Sequence, residues 1–142
     1  MAERDATSPA VDEVVRVAEF RAALRRFMRG TERSSRASGL TPQRYLLLLM
    51  IKGAPGGRET STVTELAQRL QLAQSTVTEL VRRAEEVGLV KREASTVDGR
   101  VAHLRLTAEG EHRLALAFVT NDAERQALRD AFRHLDATLM KL

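Results

Sequence analysis

The sequence predicts a mainly α-helical chain with one small β-hairpin, and three observations carry that prediction. Apolar residues recur at three- and four-residue steps through most of the length. Aromatics make up only 4% and Cys is absent, so the core must be Leu, Val and Ala, which suits packed helices. The stretch 89–106 alone breaks the helical period, with two short β-like runs around an Asp-Gly turn signal.

The chain has 142 residues, enough for one domain with a real core. Residues 1–10 are polar, have no signal-peptide core and read as a flexible tail. Residues 11–142 read as a single domain. No apolar run is long enough to span a bilayer. The expectation is therefore a soluble cytoplasmic protein without a membrane partner. The absence of Cys excludes disulfides, Cys-metal sites and thiol redox sensing. Net charge is +4, from 23 basic and 19 acidic residues. That mild surplus favours a polyanion partner only if its placement agrees.

The elements follow in order. Residues 12–38 form a long helix, with Val14, Val17, Phe20, Leu24, Phe27 and Met28 on its apolar stripe and Gly39 as its stop. Thr41 and Pro42 open a second helix as N-cap and first residue. Leu46–Ile51 is apolar nearly all round, so that helix is expected to be buried. The Gly53–Gly57 run breaks it. It lacks a lysine and follows a helix, so it is a plain loop and not a phosphate cradle. Thr62-Val63-Thr64-Glu65 has the spacing of a capping box. The short helix after it buries Val63, Leu66, Ala67 and Leu70. A turn at Gln71-Leu72-Ala73 follows, with Leu72 expected to fill its corner. The next helix points Val77, Leu80, Val81, Ala84 and Val87 inward and ends at Gly88. Residues 89–94 and 101–106 are the hairpin strands. Helix resumes at Ala108, and Asn121 with Glu124 has the pattern of a second start.

The order helix, turn, helix, basic-tipped hairpin has a physical reading. The first short helix braces the second, whose outer face carries Gln74, Ser75, Thr78, Glu79 and Arg82, flanked by Thr76 and Arg83. Gln pairs with adenine and Arg with guanine, while Ser and Thr adapt to either. Short polar residues at the helix start allow close approach to a duplex, and free N–H groups there suit a phosphate. Arg100 at the hairpin tip has the length to enter a minor groove. Asp98 has the wrong charge for DNA and is expected to hold Arg100 or Arg92 by an ion pair. Lys91, Arg92 and Arg105 are candidate phosphate contacts.

These stretches resemble the MarR family of winged helix-turn-helix transcription regulators. The resemblance rests on Gly39–Gln43 with the Leu run, on Thr62–Ala67 through Gln74–Val77 to Gly88–Val90, and on Asp98-x-Arg100 running into Leu104-x-Leu106-Thr107. It implies a winged helix-turn-helix lobe over 39–107, with dimerisation helices at 11–38 and 108–142. It implies a ligand-responsive homodimeric repressor, not an enzyme, on a pseudo-palindromic double-stranded operator. By position, Gln74, Ser75, Thr76, Thr78 and Arg82 would lie in the major groove and Arg100 in the minor groove. Asp98 and Arg92 would support the wing. Two positions depart from the pattern. Gln71 stands where the family has Gly, so a non-glycine must take a positive φ or the turn differs. Ala73 stands at the cap position before the recognition helix and cannot accept the usual hydrogen bond. The arm after Thr107 is also short.

A small effector, anionic or phenolic, would meet Arg44 and Tyr45, although Tyr45 also suits the core. His103, His112 and His134 with neighbouring acids would be needed for a metal-responsive regulator, but one-turn pairs such as Glu109 and His112 are ordinary ion pairs. No metal and no cofactor are expected. Ser34 and Ser35 lack any base or oxyanion arrangement, so catalysis has no support. A winged-helix protein-interaction module without DNA binding stays open, because acidic residues nearly balance the basic ones between 61 and 107.

Overall fold

The computed structural model describes residues 8–94 and 99–139. The elements run α1 (Val11–Ala37), α2 (Pro42–Lys52), α3 (Val63–Leu70), α4 (Gln74–Glu86), β1 (Val90–Ala94), β2 (Ala102–Leu106), α5 (Ala108–Thr120) and α6 (Asp122–Leu139). A single 3₁₀ turn, Pro55–Gly57, fills the loop after α2. This is the mainly helical chain with one hairpin that the periodicity predicts. Among the described residues no helix is long and apolar enough to cross a membrane.

The chain divides into two compact units. One is Thr31–Thr120 and holds the helix-turn-helix, the hairpin, the end of α1 and all of α5. Its core joins Leu40, Tyr45, Leu47, Leu48 and Ile51 to Leu66, Val77, Val81, Leu89, Leu104, Leu106 and Leu114. α2 carries four of its residues to that core, as its apolar run implies, but Leu46 is exposed because only part of the helix faces inward. Tyr45 is 4% exposed, which supports its reading as a core residue.

The strands pair antiparallel, Val90 opposite Leu106 through Ala94 opposite Ala102. Ser61 adds a short third rung: its N–H donates to the Leu104 carbonyl at 3.1 Å and its carbonyl accepts from Leu104 at 2.8 Å. The hairpin is thereby tied to the segment that enters α3. Thr107 joins the hairpin to α5. Its Oγ1 donates to the Gly88 carbonyl at 2.5 Å and accepts from the Gly110 N–H at 3.1 Å.

The other unit is Met1–Gly30 with Asn121–Leu142. Here α1 packs on α6 through Ala23, which is buried, and an edge-on contact of Phe20 with Phe132 at 5.8 Å between ring centroids. Gly30 sits where a Cβ would run into Glu124 and Asn121, so the two helices meet closely there. Much of the predicted α1 stripe is nonetheless exposed, including Val14, Val17 and Met28. Within one chain α6 covers only part of it.

Candidate nucleic-acid interface

The helix-turn-helix is built as its local chemistry requires. Thr62 Oγ1 accepts from the Glu65 N–H at 3.2 Å, and Glu65 Oε2 accepts from the Thr62 N–H at 3.4 Å, completing the capping box. α3 ends at Gln71, which takes the left-handed conformation at φ 56°, ψ 44°. A residue with a Cβ is strained there. The turn is held by the Leu72 N–H donating to the Ala67 carbonyl at 3.1 Å and by Gln71 Nε2 donating to the Gln68 carbonyl at 2.6 Å. Leu72 does not fill the corner: it is 38% exposed, because Leu66 and Val77 already occupy the core beneath. Val87 is likewise exposed, at 51%, as the capping residue where the helix ends.

α4 begins at Gln74 with Ala73 as its N-cap, and no side chain caps it. Its first N–H groups therefore lack the usual internal acceptor. Gln74, Ser75, Thr76, Thr78 and Arg82 are all exposed on this helix, while Val77, Val81 and Ala84 are buried on the opposite face. The periodicity thus separates core and candidate reading face cleanly. Gln74 Nε2 also donates to Thr64 Oγ1 at 3.3 Å, which brings an α3 hydroxyl beside the start of α4. Thr64 was not among the sequence candidates; it is exposed between Thr62 and Glu65, the two residues of the capping box.

Arg82 is already occupied. Its Nε and Nη2 donate to the two carboxylate oxygens of Glu79 at 2.9 and 2.7 Å, and its Nη1 pairs with Glu86. Arg83 Nε donates to Glu79 Oε1 at 2.9 Å. Arg82 and then Arg83 hold the Glu79 carboxyl down at about 2, and the Glu79 pair pushes the Arg82 guanidinium above its ordinary value. The spacings of three and four residues are those of helix-face pairs.

The hairpin cations are also engaged. Arg92 Nε donates to Glu85 Oε1 at 2.9 Å, so its described partner lies on α4. Arg105 pairs with Glu93 at 3.2 Å and Glu59 at 3.6 Å. Lys52 reaches Glu59 and Glu111, each at 2.8 Å, and these two carboxylates raise its pKa, Glu111 contributing most. A chain of alternating charges therefore runs from α5 through the end of α2 to both strands. Lys91 and Arg100 are exposed on the hairpin. Asp98, the expected support for Arg100, lies outside the described residues.

Arg44 is half-buried beside the core residue Tyr45. The lobe's apolar cavity, about 400 Å³, is lined by Leu49, Lys52, Glu111, Leu114, Phe118 and Val119 among others. Among the described residues no group of three or more His, Asp or Glu side chains gathers as metal ligands would.

Residues 38–101 match the family model described as MarR family. A curated relative, the HTH-type transcriptional repressor MdtR of Bacillus subtilis (strain 168), is 33% identical over 78 residues, which span 55% of this chain and 48% of that protein. The chain thus matches about half the length of that relative. Among solved structures, the YusO protein from Bacillus subtilis superposes with a TM-score of 0.63 at 24% identity, covering 94% of this chain and 99% of that one. A mutant MarR from E. coli complexed with operator DNA gives 0.67 at 19% identity, covering 94% and 98%. The chain is thus similar to the MarR family in sequence over residues 38–101 and to solved structures of winged-helix proteins in fold over 94% of its length.

Proposed function

We propose that this chain is a sequence-specific regulator of transcription that binds double-stranded DNA as a homodimer, most simply as a repressor, in the cytoplasm and without enzymatic activity. The observation that carries the reading is the start of α4. Gln74, Ser75, Thr76 and Thr78 are exposed there on a helix with no side-chain cap, braced by α3 and flanked by a hairpin with Arg100 near its tip. Small hydrogen-bonding side chains suit base edges in a major groove, and uncapped N–H groups suit a phosphate. In this reading the hairpin is a wing, with Arg100 in the minor groove. The exposed stripe of α1 supports pairing with a second copy, which would set two recognition helices about 34 Å apart on a pseudo-palindrome. The reading includes control by a small anionic or phenolic molecule. The apolar cavity with Lys52 at its edge supports an effector of modest size.

The test is retention of fragmented genomic DNA by the purified protein, sequenced at two salt concentrations. A few palindromic sites, weakening as salt rises, are expected. Retention of nothing, or of all fragments equally, would overturn the reading and favour a protein-interaction module.

A further inference from the structure

We propose that Glu79 is a selectivity-determining residue: it withholds Arg82 and Arg83 from the duplex and releases them only where the site offers its carboxylate another donor. The inference rests on the DNA-binding reading above and deepens it.

The geometry carries it. A bidentate arginine reads guanine or grips a phosphate through two parallel N–H groups. In Arg82 all three guanidinium nitrogens are held by carboxylates, two by Glu79 and one by Glu86. Glu79 also takes the Nε of Arg83. One acidic side chain on the exposed face therefore neutralises the two cations next to it. Glu85 does the same to Arg92. Past Thr78 α4 carries three carboxylates, Glu79, Glu85 and Glu86, against two guanidiniums, Arg82 and Arg83, whereas its start presents uncharged hydroxyl and amide groups.

Binding to an arbitrary sequence then gains little from Arg82 or Arg83. Freeing them would leave the Glu79 carboxylate unpaired against a polyanion. A cytosine removes that penalty, because its N4 amino group donates in the major groove and a Glu accepts from it. At such a site Glu79 exchanges its arginine donors for the base, and both arginines become free for phosphate or guanine. These ion pairs are exposed and individually weak, so the exchange is accessible at ordinary temperature.

The test is a cycle of variants measured on the preferred duplex and on a scrambled duplex across a salt series. Glu79→Gln keeps the shape and removes the charge. The expected result is a three- to tenfold gain on the scrambled duplex, a salt slope steeper by about one to two units as cations engage phosphates, and a smaller ratio of preferred to scrambled affinity. In an Arg82→Gln/Arg83→Gln background the same change is expected to move scrambled binding less than twofold, since nothing remains to be released. A gain of equal size in that background would mean simple repulsion between Glu79 and phosphate, and would overturn the proposal. An unchanged selectivity ratio in Glu79→Gln would overturn it as well. If the wild-type protein shows no salt-sensitive binding to either duplex, the DNA-binding reading itself fails, visible before any variant is compared.

Discussion

Two residues show how narrowly single atoms are set here. Gly110 lies in the first turn of α5, and a Cβ there would overlap the backbone carbonyl of Leu89. A carbonyl cannot swing aside as a side chain can. Gly110→Ala should therefore lever α5 off the Gly88–Leu89 corner and cost about 1–3 kcal/mol, read as a lower urea midpoint. Ala73 is the converse case. Its backbone is already extended, at φ −63° and ψ 146°, as an N-cap requires, but it has no oxygen to offer. Ala73→Ser should stabilise the protein by about 1 kcal/mol in the same assay. An unchanged midpoint would mean that the start of α4 is satisfied by water alone.

Exposed ion pairs lie within and between the elements, and their effect on stability has a definite sign with pH. Glu79 titrates at about 2 in the folded chain against an ordinary 4.5. Its folded pKa is depressed, so its contribution is complete above 4.5 and is lost as pH falls toward 2. Lys52 is raised above 10.5 by Glu111 and Glu59. Its contribution is complete below 10.5 and fades as pH rises through the raised value. Melting temperature measured against pH should fall at both limbs. Glu79→Gln should flatten the acid limb alone, whereas Lys52→Met should flatten the alkaline limb and also part of the acid limb, because Lys52 holds the Glu59 carboxyl below its ordinary value. Both effects should be small, because water screens these pairs. An acid limb of the same steepness in Glu79→Gln would place the acid-sensitive group elsewhere.

At the scale of the whole molecule the exposed apolar surface of α1 and α6 matters most. Val14, Val17, Met28 and Phe132 are each about half exposed in one chain. A homodimer would cover such a surface, and its melting temperature would rise with protein concentration. Val17→Asp should bury a charge at that contact, abolish the concentration dependence and halve the mass seen by light scattering. A wild-type mass of one chain at micromolar concentration would show that these side chains are covered by something else or by nothing.

The elements themselves were legible in the sequence because their signals are local. A capping box, a glycine after each of two helices, an Asp-Gly turn and a three-to-four-residue apolar period each act within a few residues of chain. Gln71 shows the reach of such reasoning: the sequence posed a left-handed residue or a different turn, and the left-handed residue is what folds. The exposed set Gln74, Ser75, Thr76 and Thr78 was legible for the same reason, since one face of α4 is apolar and the other is not. The partners of the charged side chains were not. Arg92 meets Glu85 on a different element, and Lys52 meets Glu111 across 59 residues of chain. Leu72 in the turn and Val87 at the C-cap of α4 are exposed, although the sequence reading assigns both inward. Backbone propensity and period are properties of a segment, and the sequence by itself determined them; charge pairing and the filling of a finite core depend on every segment at once, and only the tertiary structure decided those.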